Sequence, residues 1–220
     1  MTRMKKQFAV IGLGRFGTSV ALTLQQLGHD VLAIDADEER VQKLSDEVTH
    51  VVQADTTDEN ALNALGLRNF DAVVVAIGED VQANVATTLL LKEMGIPFII
   101  AKARNALHGK MLEKIGADRV VYPERDMGQR VAHSLVSSNV LDFIALSSEL
   151  SLVEVTAPGI FVGRTLAEAD MRVRYGVNVV AIKRYEDLIV PPQPDEVIHE
   201  SDVLIVIGPT EGLQRLEVLG

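Results

Sequence analysis

Between residue 6 and about residue 121, six short apolar runs alternate with helical patterns, and few architectures accommodate such a chain. The runs are "QFAVIG", "DVLAID", "HVVQAD", "DAVVVAIG", "PFIIAKA" and "DRVVYP". They are rich in Val and Ile and mostly lack in/out alternation, as expected of parallel strands buried on both faces. The segments between them have helical spacing. Val20, Leu24 and Leu27 fall on one face, with Gly28 placed for a left-handed C-cap. Asp37 is positioned to cap a helix from Glu38, and Thr56 with Glu59 has the spacing of a capping box. Strand–helix repetition with right-handed crossovers gives an α/β fold, a doubly wound parallel sheet of Rossmann type.

The first run leads directly into Gly12-Leu13-Gly14-Arg15-Phe16-Gly17. In such a loop the first glycine allows a tight turn, the second lets the backbone approach a phosphate, and the third lets the helix pack on the sheet. Unbonded N–H groups at the helix start, carrying roughly half a positive charge, then face the anion. Asp35 ends the second run, about twenty residues on. An acid there hydrogen-bonds ribose hydroxyls and repels a 2′-phosphate, which disfavours NADP. Arg15 offers a planar guanidinium beyond what a dinucleotide pyrophosphate needs and suits a terminal phosphate. The alternative is a surface arginine paired with an acid such as Glu124. ATP or ADP therefore stands beside NAD(H) as the ligand.

Ligands of open α/β sheets bind at the carboxyl ends of the strands. This adds Phe16 on the loop, Ala36 after Asp35, Asp55 and Thr56, Ile77 and Gly78, and Lys102 and Arg104 as nucleotide-binding candidates. Thr56 also has a complete structural explanation as a helix cap.

After Pro123 the texture changes. Met127, Val131, Leu135, Val136, Val140, Leu141 and Ile144 have the spacing of one or two helices, interrupted near Ser137–Asn139. The six-strand sheet is complete before them, so their apolar face packs either on an edge of its own sheet or on a second subunit. From about Ser147, "LSLVEVTA", "GRTLAEADMR", "VNVVAIKR", "DLIVP" and "DVLIVIG", with a short helix from Thr210, read as a small α+β lobe. The expected division is 1–123, 124–146 for crossover and dimerisation helices, and 147–220.

Composition narrows the function classes. Lys and Arg total 21 against 31 Asp and Glu, a formal charge of −10. That argues against nucleic acid, whose backbone affinity comes from clustered Lys and Arg. There is no cysteine, which removes disulfides and thiol catalysis and fits a reducing cytosol. The opening "MTRMKK" is followed by a strand pattern rather than a signal-peptide core. No apolar run approaches the roughly 18 residues that cross a bilayer, so a membrane role is expected to run through a partner.

Catalytic groups are harder to find. A dehydrogenase needs an acid or base beside the nicotinamide, and no Tyr-x-x-x-Lys follows Tyr122, Tyr175 or Tyr185. The histidines (His29, His50, His108, His133, His199) have no zinc-type spacing, and only His108 falls near the expected ligand. A nucleotide pocket without chemistry reads as a sensor and not an enzyme. A small NAD-dependent oxidoreductase is the alternative. An NAD-sensing transcription factor is disfavoured by the charge and by the lack of a helix-turn-helix pattern.

Almost the whole chain resembles the cytosolic RCK (KTN) proteins that regulate potassium uptake systems of the Ktr and Trk type. The resemblance rests on "FAVIGLGRFG", "VLAID", "ADTTDE", "VVVAIG" with "ANVATTLLLKEMG", "KIGADRVVYPERDMG" and "LIVPPQPDEVIHESDVLIVIGP". "PERDMG" points to the stand-alone Ktr type. The resemblance implies ATP, ADP or NAD(H) in the first lobe, with Gly12, Gly14, Gly17 and Asp35 in the nucleotide role and Arg15 at the terminal phosphate. It implies dimers made through the crossover helix, an octameric ring, and docking on the cytosolic face of a potassium-translocating membrane subunit. Glu124 matches an acid near which a divalent cation, Mg²⁺ or Ca²⁺, sits beside the phosphates. Cyclic di-AMP is implied between two C-terminal lobes, with Met171, Arg172 and Asn178 the candidate contacts. One departure is Ser201-Asp202, where Gly-Asp is common before the last strand.

Overall fold

The computed structural model describes residues 5–136, 139–147 and 149–219, so the predicted interruption at Ser137 and Ser138 lies outside the described residues. The chain divides after Pro123 into two units.

The first unit runs β1 (Gln7–Ile11), α1 (Arg15–Gln26), β2 (Asp30–Asp35), α2 (Glu38–Leu44), β3 (His50–Gln53), α3 (Glu59–Ala64) and β4 (Ala72–Val75). It continues with α4 (Val81–Glu93), β5 (Ile99–Lys102), α5 (Ala106–Ile115) and β6 (Arg119–Val121). The strands form one sheet in the order β3-β2-β1-β4-β5-β6, parallel at every pairing. Alternate residues enter two cores. Ala9, Ile11, Val73 and Val75 meet Leu62, Leu91 and Leu112 from α3, α4 and α5, while Val10, Ala33 and Val74 meet Ala21 and Leu44 from α1 and α2. Burial on both faces removes the selection for alternation, which is why the strands read as continuous apolar runs.

Two local readings are corrected. Leu27 is the C-cap of α1 and is 53% exposed, outside the buried face; Gly28 beyond it has φ +85°. Thr56 does not cap α3. Asp58 stands directly before the helix and accepts from Asn60 N at 2.9 Å, whereas Thr56 lies two residues earlier with its side chain buried.

The second unit follows α6 (Pro123–Val136) with β7 (Val140–Ala145), β8 (Leu150–Thr156), α7 (Leu166–Ala169) and α8 (Met171–Tyr175). Then come β9 (Asn178–Arg184), β10 (Asp187–Ile189), β11 (Asp202–Pro209) and α9 (Thr210–Glu217). Its sheet has the order β10-β9-β11-β8-β7 and is antiparallel throughout. Val153, Val155, Leu204 and Val206 point into a core closed by Phe161, Leu213 and Leu216. The expected second crossover helix is a strand. Val140, Leu141 and Ile144 lie on β7, where a register shift between Val140 and Asp142 spaces the buried Val140 and Phe143 three residues apart. A bulge thus reproduced a helical spacing. Arg130 of α6 forms a two-pronged pair with Asp142 of β7, and His133 stacks on Phe143 at 4.0 Å. Met127, Val131 and Leu135 of the same helix are exposed. The single helix expected over "GRTLAEADMR" is split in two at Asp170, whose φ is +45°.

Candidate functional site

The phosphate loop joins β1 to α1, and its three glycines have different reasons to be glycine. Gly12 has φ +94°, and a Cβ there would lie 2.8 Å from the Ile77 backbone nitrogen. A Cβ on Gly17 would lie 1.8 Å from the Gly12 carbonyl oxygen. Protein packing explains both. At Gly14 an added Cβ would meet nothing within 4 Å, and its extended φ/ψ suits any residue. Neither packing nor backbone conformation therefore requires glycine at 14.

Gly14 is also the N-cap of α1 and supplies no side-chain acceptor. Thr18 N bonds to the Gly14 carbonyl at 2.9 Å, but no backbone or side-chain acceptor among the described residues takes the amides of Arg15, Phe16 and Gly17. Those donors, at the positive end of a three-turn helix, are what a phosphate needs. Arg15 is exposed and without an ion-pair partner among the described residues.

The structure brings most of the predicted residues to this edge. Asp35, nearly buried, accepts Leu13 N on Oδ2 at 2.5 Å and Asp37 N on Oδ1 at 2.9 Å, so it fixes the loop from below. Ile77 presses against Gly12, and an added Cβ on Gly78 would lie 3.1 Å from Lys102 Nζ. Lys102 Nζ stands 5.9 Å from the centre of the Phe16 ring. Arg104 lies one strand end further, its guanidinium donating to the Glu79 carbonyl at 3.1 Å. Ala36 is exposed beside Asp35, its carbonyl accepting from Gln53. Asp55 is exposed, and bonds from the Thr57 hydroxyl and amide hold its carboxyl below the usual range. Thr56 differs: its side chain turns into the core and bonds Thr87 Oγ1 at 2.9 Å.

Three features escaped the sequence reading. Arg40 reaches Asp35 Oδ2 at 3.5 Å from one turn into α2. His108 is buried rather than facing a ligand, accepts Arg104 N on Nδ1 at 3.3 Å, and leaves Nε2 without a partner among the described residues. Burial, then the charge of Arg104, pushes its pKa down. Asn84, Thr87 and Thr88 of α4 are fully buried. Their spacing of three and one, inside the apolar stretch of "ANVATTLLLKEMG", is a polar stripe on one helix face and was the available signal.

In the second unit, Met171, Arg172 and Asn178 line one open concavity of about 280 Å³, together with Leu166, Asp170 and Pro194. Met171 is buried, while Arg172 and Asn178 are exposed. Glu124 lies exposed in the first turn of α6. Among the described residues no group of three or more His, Asp or Glu could hold a metal ion, and no helix is long and apolar enough to cross a membrane.

Comparison with known proteins agrees with this geometry. Residues 8–123 match the TrkA-N domain and residues 150–219 the TrkA-C domain. The chain is 53% identical over 214 residues to Ktr system potassium uptake protein C of Bacillus subtilis, covering 97% of each. It is 48% identical to Ktr system potassium uptake protein A of the same organism, covering 99% of this chain and 98% of that one. Among solved structures, the GsuK RCK domain superposes on all of this chain and 48% of its own with a TM-score of 0.68 at 22% identity, a likeness of fold. A phosphate loop at the switch of a parallel sheet, a small antiparallel lobe and a match over nearly the full length have one reading: the chain belongs to the Ktr potassium uptake protein family, built from a TrkA-N and a TrkA-C domain.

Proposed function

We propose that this chain is the nucleotide-sensing regulatory subunit of a Ktr-type potassium uptake system, binding ADP or ATP, or NAD(H) through the same loop. It acts without catalysis, from the cytoplasmic side of the membrane, on a potassium-translocating partner. The observation that carries this reading is the loop. Three helix-start amides have no acceptor among the described residues, and the loop's one glycine not demanded by packing faces open space. Its amides bind phosphate oxygens, Arg15 extends the positive charge towards a terminal phosphate, and Asp35 at the end of β2 takes the ribose hydroxyls. His108 supports binding over the oxidoreductase alternative, because its side chain is buried and its Nδ1 is taken by the Arg104 amide.

The remaining assignments follow the family resemblance. The exposed apolar residues of α6 are proposed as the dimer contact, with dimers closing into an octameric ring. Met171, Arg172 and Asn178 are proposed as half of a cyclic di-AMP site. Glu124 is proposed as a ligand for Mg²⁺ or Ca²⁺. One carboxylate supplies few of the six or more oxygens such ions take, so nucleotide phosphates complete the set.

The test is calorimetric titration of the full chain with ADP and ATP, on wild type and Gly14→Ala. The substitution meets no protein atom, so the melting temperature should stay within about a degree or two of wild type, as for a neutral surface change. Affinity for both nucleotides should fall at least roughly tenfold, about 1.4 kcal/mol. Unchanged affinity would mean that the loop holds no phosphate.

A further inference from the structure

Helix α4 carries Asn84, Thr87 and Thr88 on its inward face, each with no exposed surface. Polar groups this deep are costly unless satisfied, and an aliphatic side chain would fit a helix–sheet interface with less constraint. What they bond to explains them. Asn84 Nδ2 donates to the Ile77 carbonyl at 2.6 Å and to the Lys102 carbonyl at 3.0 Å. Both acceptors lie at or just beyond the carboxyl ends of neighbouring strands, β4 and β5. Thr87 Oγ1 donates to the Thr56 carbonyl at 3.2 Å, so the Thr56 hydroxyl is the donor in the 2.9 Å bond between the two side chains. Thr88 Oγ1 stands 3.5 Å from Asn84 Oδ1, the oxygen side of the amide.

The two carbonyls held by Asn84 belong to the residues that touch the phosphate loop. The Ile77 backbone abuts Gly12, leaving no room for a Cβ there. Lys102 lies over Phe16 and beside Gly78. One amide group therefore fixes, from behind, the two supports on which the loop rests, and Thr87 does the same for the segment after β3. We propose that Asn84, assisted by Thr87, is the positioning residue of the nucleotide site: it sets the loop's geometry through Ile77 and Lys102 without touching the ligand. This rests on the nucleotide reading of the loop given above. Binding geometry set by such an outer layer is sensitive to small displacements, since about 1 Å of misplacement is enough to cost large factors in affinity or rate.

The test measures ADP affinity of the full chain by calorimetry, beside the melting temperature of the nucleotide-free protein. The variants are Asn84→Leu, Thr87→Val and Thr87→Ser, with Leu67→Ala as a control. Leu67 is fully buried before β4, at the opposite edge of the sheet. Thr87→Val is nearly isosteric and keeps the question open to measurement if Asn84→Leu does not fold. The control should melt lower and bind ADP as wild type does. Thr87→Val should bind ADP about tenfold more weakly, one lost hydrogen bond's worth, and Thr87→Ser should restore it. Asn84→Leu should lose more than Thr87→Val. If the α4 variants melt lower yet bind ADP like wild type, the stripe serves stability alone and the proposal fails while the nucleotide reading stands. A wild type that binds neither ADP nor ATP would overturn both.

Discussion

Asp35 illustrates how a single side chain serves the fold and the proposed ligand together. Its Oδ2 accepts the Leu13 amide and lies 3.5 Å from the Arg40 guanidinium, while its Oδ1 accepts only the Asp37 amide among the described residues and keeps a second lone pair to offer. A ribose hydroxyl would use that remaining capacity. Two consequences follow for Asp35→Ala. The nucleotide-free protein should lose about 1–3 kcal/mol, because two amides lose a buried acceptor, and ATP and ADP should weaken alike, because they share the ribose. Denaturant melts and parallel titrations check this; an unchanged melt with weakened binding would confine Asp35 to the ligand. Arg15 is the opposite case, exposed and unpaired among the described residues. Arg15→Ala should leave stability within about 0.5 kcal/mol and weaken ATP roughly tenfold more than ADP, the scale of a charge-assisted bond to the terminal phosphate. Equal losses would assign Arg15 to the inner phosphates.

At the scale of elements, the six parallel strands and the loop were legible because burial on both faces leaves continuous apolar runs and because tight approach demands glycine at fixed spacing. Where local and tertiary signals coincided in form, the reading failed. Thr56 and Thr165 both begin a Thr-x-x-Glu pattern, yet only Thr165 makes the capping box, bonding Glu168 reciprocally. Asp58, closer to the helix, displaces Thr56 from that role. The bulge in β7 likewise imitated a helix. The polar stripe of α4 was visible as letters, but its meaning depends on which carbonyls end opposite it. The Arg184 cluster was equally hidden. Arg184 at the end of β9 grips both oxygens of the buried Asp202 at 2.8 and 2.9 Å, reaches Glu196 at 2.9 Å, and donates to the Val197 carbonyl. This pins the segment between β10 and β11, whose Pro192 and Pro194 line the second unit's concavity. Burial would push the Asp202 carboxyl up, but bonds from Arg184 and the His199 amide, with the charge of Arg184, more than offset it and hold the carboxyl below its usual range. A depressed carboxyl stabilises the fold above its unfolded pKa, about 3.9, and the contribution is lost as pH falls through the lower folded value. Asp202→Asn should therefore cost roughly 3 kcal/mol near neutral pH. Urea melts should show the gap to wild type narrowing only below about pH 4; a gap independent of pH would remove the ion pair as its source.

At the scale of the whole molecule, the question is how binding at one edge of a parallel sheet becomes a change in a membrane partner. A ligand shifts a two-state equilibrium only by its differential affinity for the two states, and a full swing from one to the other needs about 10⁴-fold. ATP and ADP share every group except the terminal phosphate, so any difference between their effects on the proposed gate has to come from what meets that phosphate and its charge. Within the first unit the contact proposed for it is Arg15, an exposed cation at the start of α1. Glu124 is an exposed carboxylate in the opening turn of the second unit, and a carboxylate facing a triphosphate is repulsive unless a cation lies between them. The proposed Mg²⁺ or Ca²⁺ would turn that repulsion into a bond present with ATP and weaker with ADP, which is the asymmetry a gate requires. Liposomes containing the chain and its potassium-translocating partner should therefore show ATP-dependent flux whose half-activating ATP concentration falls roughly tenfold when the cation is added, about 1.4 kcal/mol of coupling. Glu124→Gln removes the charge and keeps the shape, so it should abolish the cation effect on flux while leaving ADP affinity within about twofold of wild type, under 0.5 kcal/mol. A Glu124→Gln channel that answers the cation as wild type does would place the ATP-against-ADP discrimination on Arg15 alone, and the loop substitution Arg15→Ala would then have to erase it.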